Sequence, residues 1–180
     1  MTRITQGAPE PLGLTLTATG ANVAVFSTSA RAIDLCLFDE AGEVELERVR
    51  IGHRTGDVFH AHVEGLTEGR RYGLRAHGAF EPEKGLRFNA SKLLVDPYAL
   101  KLDRPFALHA SMFGYEADDA AADLSFDRSD SAPFTPKGVA TRPSRADTST
   151  RPRHAWEDTI LDELHVKGFT KSHPDVPEAP

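Results

Sequence analysis

Residues 22–47, NVAVFSTSARAIDLCLFDEAGEVELE, alternate apolar and polar residues with period two. That period is the mark of a strand with one buried face. In Ala32–Phe38 the side chains of Ile33, Leu35 and Leu37 form a stripe, and Cys36 falls out of phase with it. In Asn22–Ser27, Val23 and Val25 point one way and Ala24 and Phe26 the other. Asp39-Glu-Ala-Gly42 reads as a turn, because Gly42 tolerates a positive φ that other residues resist. Glu43–Glu47 alternates again, as the hairpin partner would.

The same pattern extends outward. Leu12–Leu16 precedes the stretch. Asp57–Val63 and Arg71–His77 follow it, joined by a turn at Leu66-Thr-Glu-Gly69. Six or seven short strands with glycine-bearing turns predict an all-β fold, an immunoglobulin-like two-sheet sandwich over residues 10–99. With one cysteine among 180 residues, no internal disulfide can bridge it, and a reducing cytoplasm is the expected location.

After Ala99 the periodicity fades. Residues 100–155 read as an irregular connector, expected to drape over a neighbouring domain or to stay disordered. Residues 116–130 hold six acids and one arginine, and residues 142–153 hold four arginines and one aspartate. The Pro/Ser/Thr content of the second segment predicts a solvated, poorly ordered linker. Residues 156–180 form a third segment. There Ile160, Leu161, Leu164 and Val166 predict a short β-run closed by Gly168, a strand without an evident neighbour for its backbone groups.

Composition excludes several classes. A net charge of −6 argues against a nucleic-acid partner, which demands a basic surface. No apolar run reaches the eighteen or so residues of a membrane span. The N-terminus has no apolar segment of the signal-peptide kind. Phosphate-loop and dinucleotide glycine spacings are absent, so no cofactor is expected.

Catalytic chemistry is thinly represented. Asp162 and Glu163 are adjacent, and on a strand they point to opposite faces, so they cannot flank one glycosidic bond. Asp96 precedes a proline, a turn position. His60 and His62 share a strand face, with His77 as a third conceivable metal ligand. Two outward polar residues balancing an inward Phe59-Ala61-Val63 stripe is the favoured reading, so no metal site is expected. Phe59 and Tyr72 fall on the inward phase. Phe80, Phe88 and Tyr98 lie outside the strands and are the candidates for stacking on a sugar or facing another domain.

Ordered motifs carry a resemblance. They are Pro11-Leu-Gly13, Asn22–Ser27, Asp34–Asp39, Arg71-Tyr-Gly73, His77-Gly78, Gly85-Leu-Arg-Phe-Asn89 and Lys92-Leu-Leu-Val-Asp-Pro-Tyr98. Further on come Asp130-Ser-Ala-Pro133, Pro136-Lys137, Glu163–Thr170 and His173-Pro174. From about residue 9 to 178 the chain resembles the N-terminal part of bacterial glycogen debranching enzymes of the isoamylase type, in glycoside hydrolase family 13. The resemblance implies that residues like 11–98 form a family-48 carbohydrate-binding module. Residues like 159–168 would be the first strand of a (β/α)₈ barrel. The segment 85–99 would dock on that barrel, with Phe88, Leu93, Leu94 and Tyr98 giving buried contact and Arg87, Asn89 and Asp96 giving polar partners.

The catalytic carboxylates of that family lie beyond the matched region, so none is assigned here. Asp162 stands where the family usually has tyrosine, and Phe59 where tryptophan is common. Three readings follow: the N-terminal module of an enzyme hydrolysing α-1,6 branches of glycogen or limit dextrin, a stand-alone glucan-binding or regulatory module, and a non-functional remnant. The partners implied are an α-glucan such as glycogen and a catalytic barrel.

Overall fold

The computed structural model describes residues 2–144, 149, 151–171 and 173–176. Among the described residues eleven strands occur in chain order: β1 (Ile4–Thr5), β2 (Gly13–Leu16), β3 (Gly20–Phe26), β4 (Ala32–Phe38), β5 (Glu45–Ile51), β6 (His53–Thr55), β7 (Val58–Glu64), β8 (Arg71–His77), β9 (Phe80–Glu81), β10 (Leu86–Arg87) and β11 (Gly138–Val139). They form two antiparallel sheets and a small hairpin. The first sheet runs β1-β7-β3-β2, with β6 also on β7. The second runs β11-β8-β4-β5, and β9 pairs with β10.

The sandwich core is the one the alternation specifies. Ile33, Leu35 and Leu37 of β4, Val49 and Ile51 of β5 and Tyr72 and Leu74 of β8 meet Ala21, Val23, Phe59, Ala61 and Val63 from the first sheet. Burial of each large aliphatic contributes about 1.5–3 kcal/mol. Gly42 takes φ 73° and Gly69 φ 88° at the two turns read from sequence. β5 runs to Ile51, past the Glu47 expected, and its exposed Arg48 and Arg50 charge a sheet edge that bare backbone would leave adhesive.

The second sheet is covered on both faces over β4 and β8. Its outer face carries Asp34, Cys36, Phe38, Gly73 and Arg75, and Cys36, Phe38 and Arg75 are almost fully buried. Leu93 settles over Gly73, where a Cβ would stand 2.8 Å from its side chain. Leu93, Ala132, Cys36 and Phe38 make a second apolar cluster. Arg75 donates to Ala90 O, Glu45 Oε2 and Asp130 Oδ1 at 2.9–3.0 Å. Lys137, wholly buried, donates to the carbonyls of Ala132 and Thr135 and lies 5.0 Å from the Phe38 ring centroid. Burial pushes its ammonium below the ordinary lysine range.

These contacts change the picture of segment 85–99. Leu93 and Asp96 are buried against this chain's own sandwich and Asn89 against residues 114–127, not held out for a barrel. Asp96 accepts from Leu14 N, Tyr98 N and the Tyr72 hydroxyl. Leu94 and Leu74 exchange backbone hydrogen bonds. Of the residues expected at the seam, Arg87, Leu94 and Tyr98 remain about half exposed.

The connector expected over 100–155 divides at Pro143, and residues 1–143 make one compact unit. Apart from β11 and two short 3₁₀ turns, the part before Pro143 is irregular, because side chains more than a ladder hold it: Arg75, Lys92 and Lys137 supply anchors. The linker expected over 142–153 lies partly outside the described residues, at 145–148 and 150.

In the second unit, Trp156–Asp158 is a 3₁₀ turn and Val166–Thr170 a short helix, α1. Residues 159–165 carry no strand, which corrects the β-run expected there. Among the described residues no strand pairs with them, and Ile160, Leu161 and Leu164 are exposed. A strand without a partner leaves its amide and carbonyl groups to water, and nothing then favours the extended form.

Candidate functional site

Beyond β8 the chain makes a tight hairpin. Pro82–Lys84 form a 3₁₀ turn closed by Gly85 in the left-handed region at φ 77°. The hairpin brings Phe80 opposite Arg87. Phe88 then turns inward over Gly78, where a Cβ would lie 2.4 Å from its ring. Only glycine leaves that space, so Gly78 sets the position of Phe88.

Phe80 and Phe88 thereby line one groove of about 520 Å³, together with Leu94, Met112 and Tyr115. Phe80 is braced edge-on by Phe126, with centroids 4.7 Å apart. Arg87 crosses the rim and donates to Asp123 Oδ2 at 2.8 Å and to Asp123 O at 2.6 Å. Asn89 and Lys92 form the base. Asn89 donates to the Asp127 and Gly114 carbonyls. Lys92 Nζ donates to Ser111 O, Asp127 Oδ2 and Ser129 O at 2.8–2.9 Å. The Ser129 hydroxyl and amide, with Lys92, hold the Asp127 carboxyl down at about 2.

Two of the three sugar-stacking candidates, Phe80 and Phe88, are thus brought together, and Tyr98 is not. It lies in a separate shallow depression with Glu10, Pro11 and Leu12. Tyr115 and Asp123, which complete the groove, come from the aperiodic connector and were missed. The run Phe113-Gly-Tyr115 was the available signal, an aromatic pair in an otherwise acidic stretch.

The histidines separate in the same way. His60 and His62 lie on the first sheet and His77 on the second, where its Nε2 is 2.6 Å from Asp34 Oδ2. His60 keeps to the face opposite the Phe59-Ala61-Val63 stripe, as expected, but is buried there beside β6, with Thr55 Oγ1 2.9 Å from its Nε2 and the His53 ring stacked at 6.1 Å. His62 contacts the Thr17 and Thr19 hydroxyls.

A second concavity, of about 340 Å³, is lined by Asp39, Glu40, Glu68, Arg70 and Arg71 among others. Two of its carboxylates, Asp39 and Glu68, accept hydrogen bonds from the surrounding chain. Asp39 Oδ1 accepts from Glu43 N and Val44 N, and these bonds hold its carboxyl below the ordinary range, the wrong direction for a general acid. Glu68 accepts from Thr141 and Arg142.

Residues 11–99 match the family model of carbohydrate-binding module 48, the isoamylase N-terminal domain. Those residues belong to that family. The module-48 sandwich and its hairpin are therefore what position Phe80 and Phe88, whereas Tyr115 and Asp123 lie outside the matched span. The whole chain is 38% identical over 178 residues to the glycogen debranching enzyme of Yersinia enterocolitica, covering 98% of this chain and 26% of that protein. It is 37% identical over 182 residues to that of Pectobacterium atrosepticum, covering 99% and 26%. The chain thus spans about a quarter of the length of these curated relatives. Among solved structures, the catalytic module of the glycogen-degrading pneumococcal virulence factor SpuA aligns at TM-score 0.48 with 15% identity, covering 88% of this chain and 19% of that one.

Proposed function

We propose that this chain is the N-terminal, non-catalytic module of an enzyme that hydrolyses α-1,6 branch linkages in glycogen or limit dextrin. The observation that carries this reading is the alignment of nearly the entire chain to one quarter of the glycogen debranching enzymes. The site geometry agrees with it: Asp39 and Glu68 of the polar concavity are held by hydrogen bonds from the surrounding chain, and the apolar groove with a polar rim suits binding better than bond cleavage.

The partner surface we assign to the catalytic portion is the stretch after Asp96. Leu100, Phe106 and Leu108 are all more than 60% exposed, and Tyr98 and Leu102 are partly so. A run of exposed large apolar side chains is the signature of a surface meant to be covered. It keeps Tyr98 of segment 85–99 and moves the rest of the docking seam toward residues 100–108, because Asn89, Leu93 and Asp96 are folded inward. A reducing compartment suits a chain whose one cysteine is buried and unpaired.

The test is to incubate the purified chain with limit dextrin and assay new reducing ends, alongside affinity electrophoresis in glycogen gels. No release above buffer, with retardation in the gel, is the expected pair of results. Release of reducing ends would overturn the non-catalytic assignment.

A further inference from the structure

We propose that the groove between the β9–β10 hairpin and the connector is a subsite for a neutral α-glucan chain, contacted by Phe80, Phe88, Tyr115, Arg87 and Asp123. The inference rests on the carbohydrate-binding reading above and adds to it the place and the contacts.

The argument begins with charge. Among the described residues at the groove four side chains are charged, Arg87, Lys92, Asp123 and Asp127, and they form two pairs. Lys92 has three ammonium protons, and they meet three acceptors, Ser111 O, Asp127 Oδ2 and Ser129 O. Arg87 is paired with Asp123. Among the described residues of the groove no unpaired cation is left for an anionic ligand and no unpaired carboxylate for a cation. The occupant is therefore uncharged.

Next comes the lining. Phe80, Phe88, Leu94 and Met112 present apolar surface, which favours the C–H face of a ring over a fully solvated chain. Polar capacity sits only at the edge. The Tyr115 hydroxyl has no hydrogen-bond partner among the described residues. Arg87 has donors, and Asp123 an oxygen, beyond those the pair consumes. A ligand with one apolar face and hydroxyls around its rim satisfies both, and a pyranose is such a ligand. An aliphatic ligand would leave the edge groups unsatisfied, at a cost. The volume, about 520 Å³, lies within the usual range of roughly 300–1,000 Å³ for small-ligand sites.

The groove is built from both halves of the compact unit. Phe80, Arg87 and Phe88 come from the matched module, and Tyr115 and Asp123 from the connector. The connector is thus part of the binding surface as well as a link.

Maltoheptaose is the probe, titrated into the full chain by calorimetry and followed in ¹H–¹⁵N spectra. Shifts are expected at Arg87, Gly114 and Tyr115, with no comparable change at Tyr98. Y115F, R87A and F80A are each expected to raise Kd by about tenfold, the loss of about one good contact, while Y98A binds as the parent does. Melting curves verify folding. Should F80A fail to fold, the rim variants Y115F and R87A decide. If the chain binds maltoheptaose with shifts elsewhere and unchanged Kd in the variants, the groove is overturned and the module's sugar binding stands. If neither maltoheptaose nor glycogen binds at all, the groove and the sugar-binding reading fall together.

Discussion

The Tyr72 hydroxyl on β8 donates to Asp96 Oδ2 at 2.8 Å, and this one bond ties the sandwich core to the segment that leaves it. The same carboxylate accepts from Leu14 N on β2 and Tyr98 N. Asp96 therefore joins strands of both sheets to the exit segment. Burial, then the Asp96 charge, pushes the phenol far above its ordinary pKa, so it remains a donor across the physiological range.

Replacing Tyr72 with phenylalanine removes a donor and leaves a buried carboxylate short of one partner. The expected loss is about 1–3 kcal/mol, read as a lower urea midpoint with an unchanged slope. An unchanged midpoint would show that the bond contributes nothing net.

Arg75 and the connector test the domain boundary. Arg75→Ala removes the cation beside Asp130, leaves Glu45 with Arg48 alone, strips the Ala90 carbonyl of its donor and empties a buried volume. A loss of about 2–4 kcal/mol is expected. By the same logic a chain of residues 1–143 should melt cooperatively within a few degrees of the full chain. A chain of residues 10–99 should not fold, since it lacks Asp130, Ala132, Lys137 and β11. Cooperative melting of the shorter chain would refute the claim that the connector is part of the fold.

Cys36 is sealed beneath Leu93 and Ala132. Burial, with Glu45 nearby, pushes its thiol up to about 11. Native protein is expected to react with an aromatic disulfide reagent at pH 8 only on unfolding, with full labelling in denaturant. The raised value also has a stability consequence. The thiol's contribution is intact below the unfolded value, about 8.5, and is lost as pH climbs through about 11. Cys36→Ala should flatten that part of the alkaline limb.

The acid limb has a different owner. Asp127, held at about 2 by Ser129 and Lys92, contributes stability that is full above its unfolded value of about 3.9. That contribution disappears as pH falls from about 4 through about 2. Asp127→Asn should be less stable at pH 6 and show a weaker decline between pH 4 and 2, measured as urea midpoint against pH.

The sandwich was legible because a strand's side chains alternate faces, so Ile33, Leu35 and Leu37 announce a core by spacing alone. The turns at Gly42 and Gly69 were legible for an equally local reason, the freedom of glycine at positive φ. Phe80 and Phe88 could be nominated as ligand-facing because they fall outside the periodic runs, yet nothing local distinguished them from Tyr98. The β-run expected at 159–168 failed because apolar residues in sequence do not supply the neighbour a strand requires.

What the sequence by itself determined is therefore the two-sheet architecture, whose information lies in period-two patterning within each strand. The tertiary structure decided what the aperiodic residues do. It turned Leu93, Asn89 and Asp96 inward, and it gave Arg75, Lys92 and Lys137 their acceptors. It also set Tyr115 and Asp123 beside Phe80 and Phe88. Those partners lie 15–55 residues apart in the hydrogen bonds of Arg75 and 19–37 in those of Lys92. Contacts of that kind depend on where the chain returns in space, and no local period encodes that return.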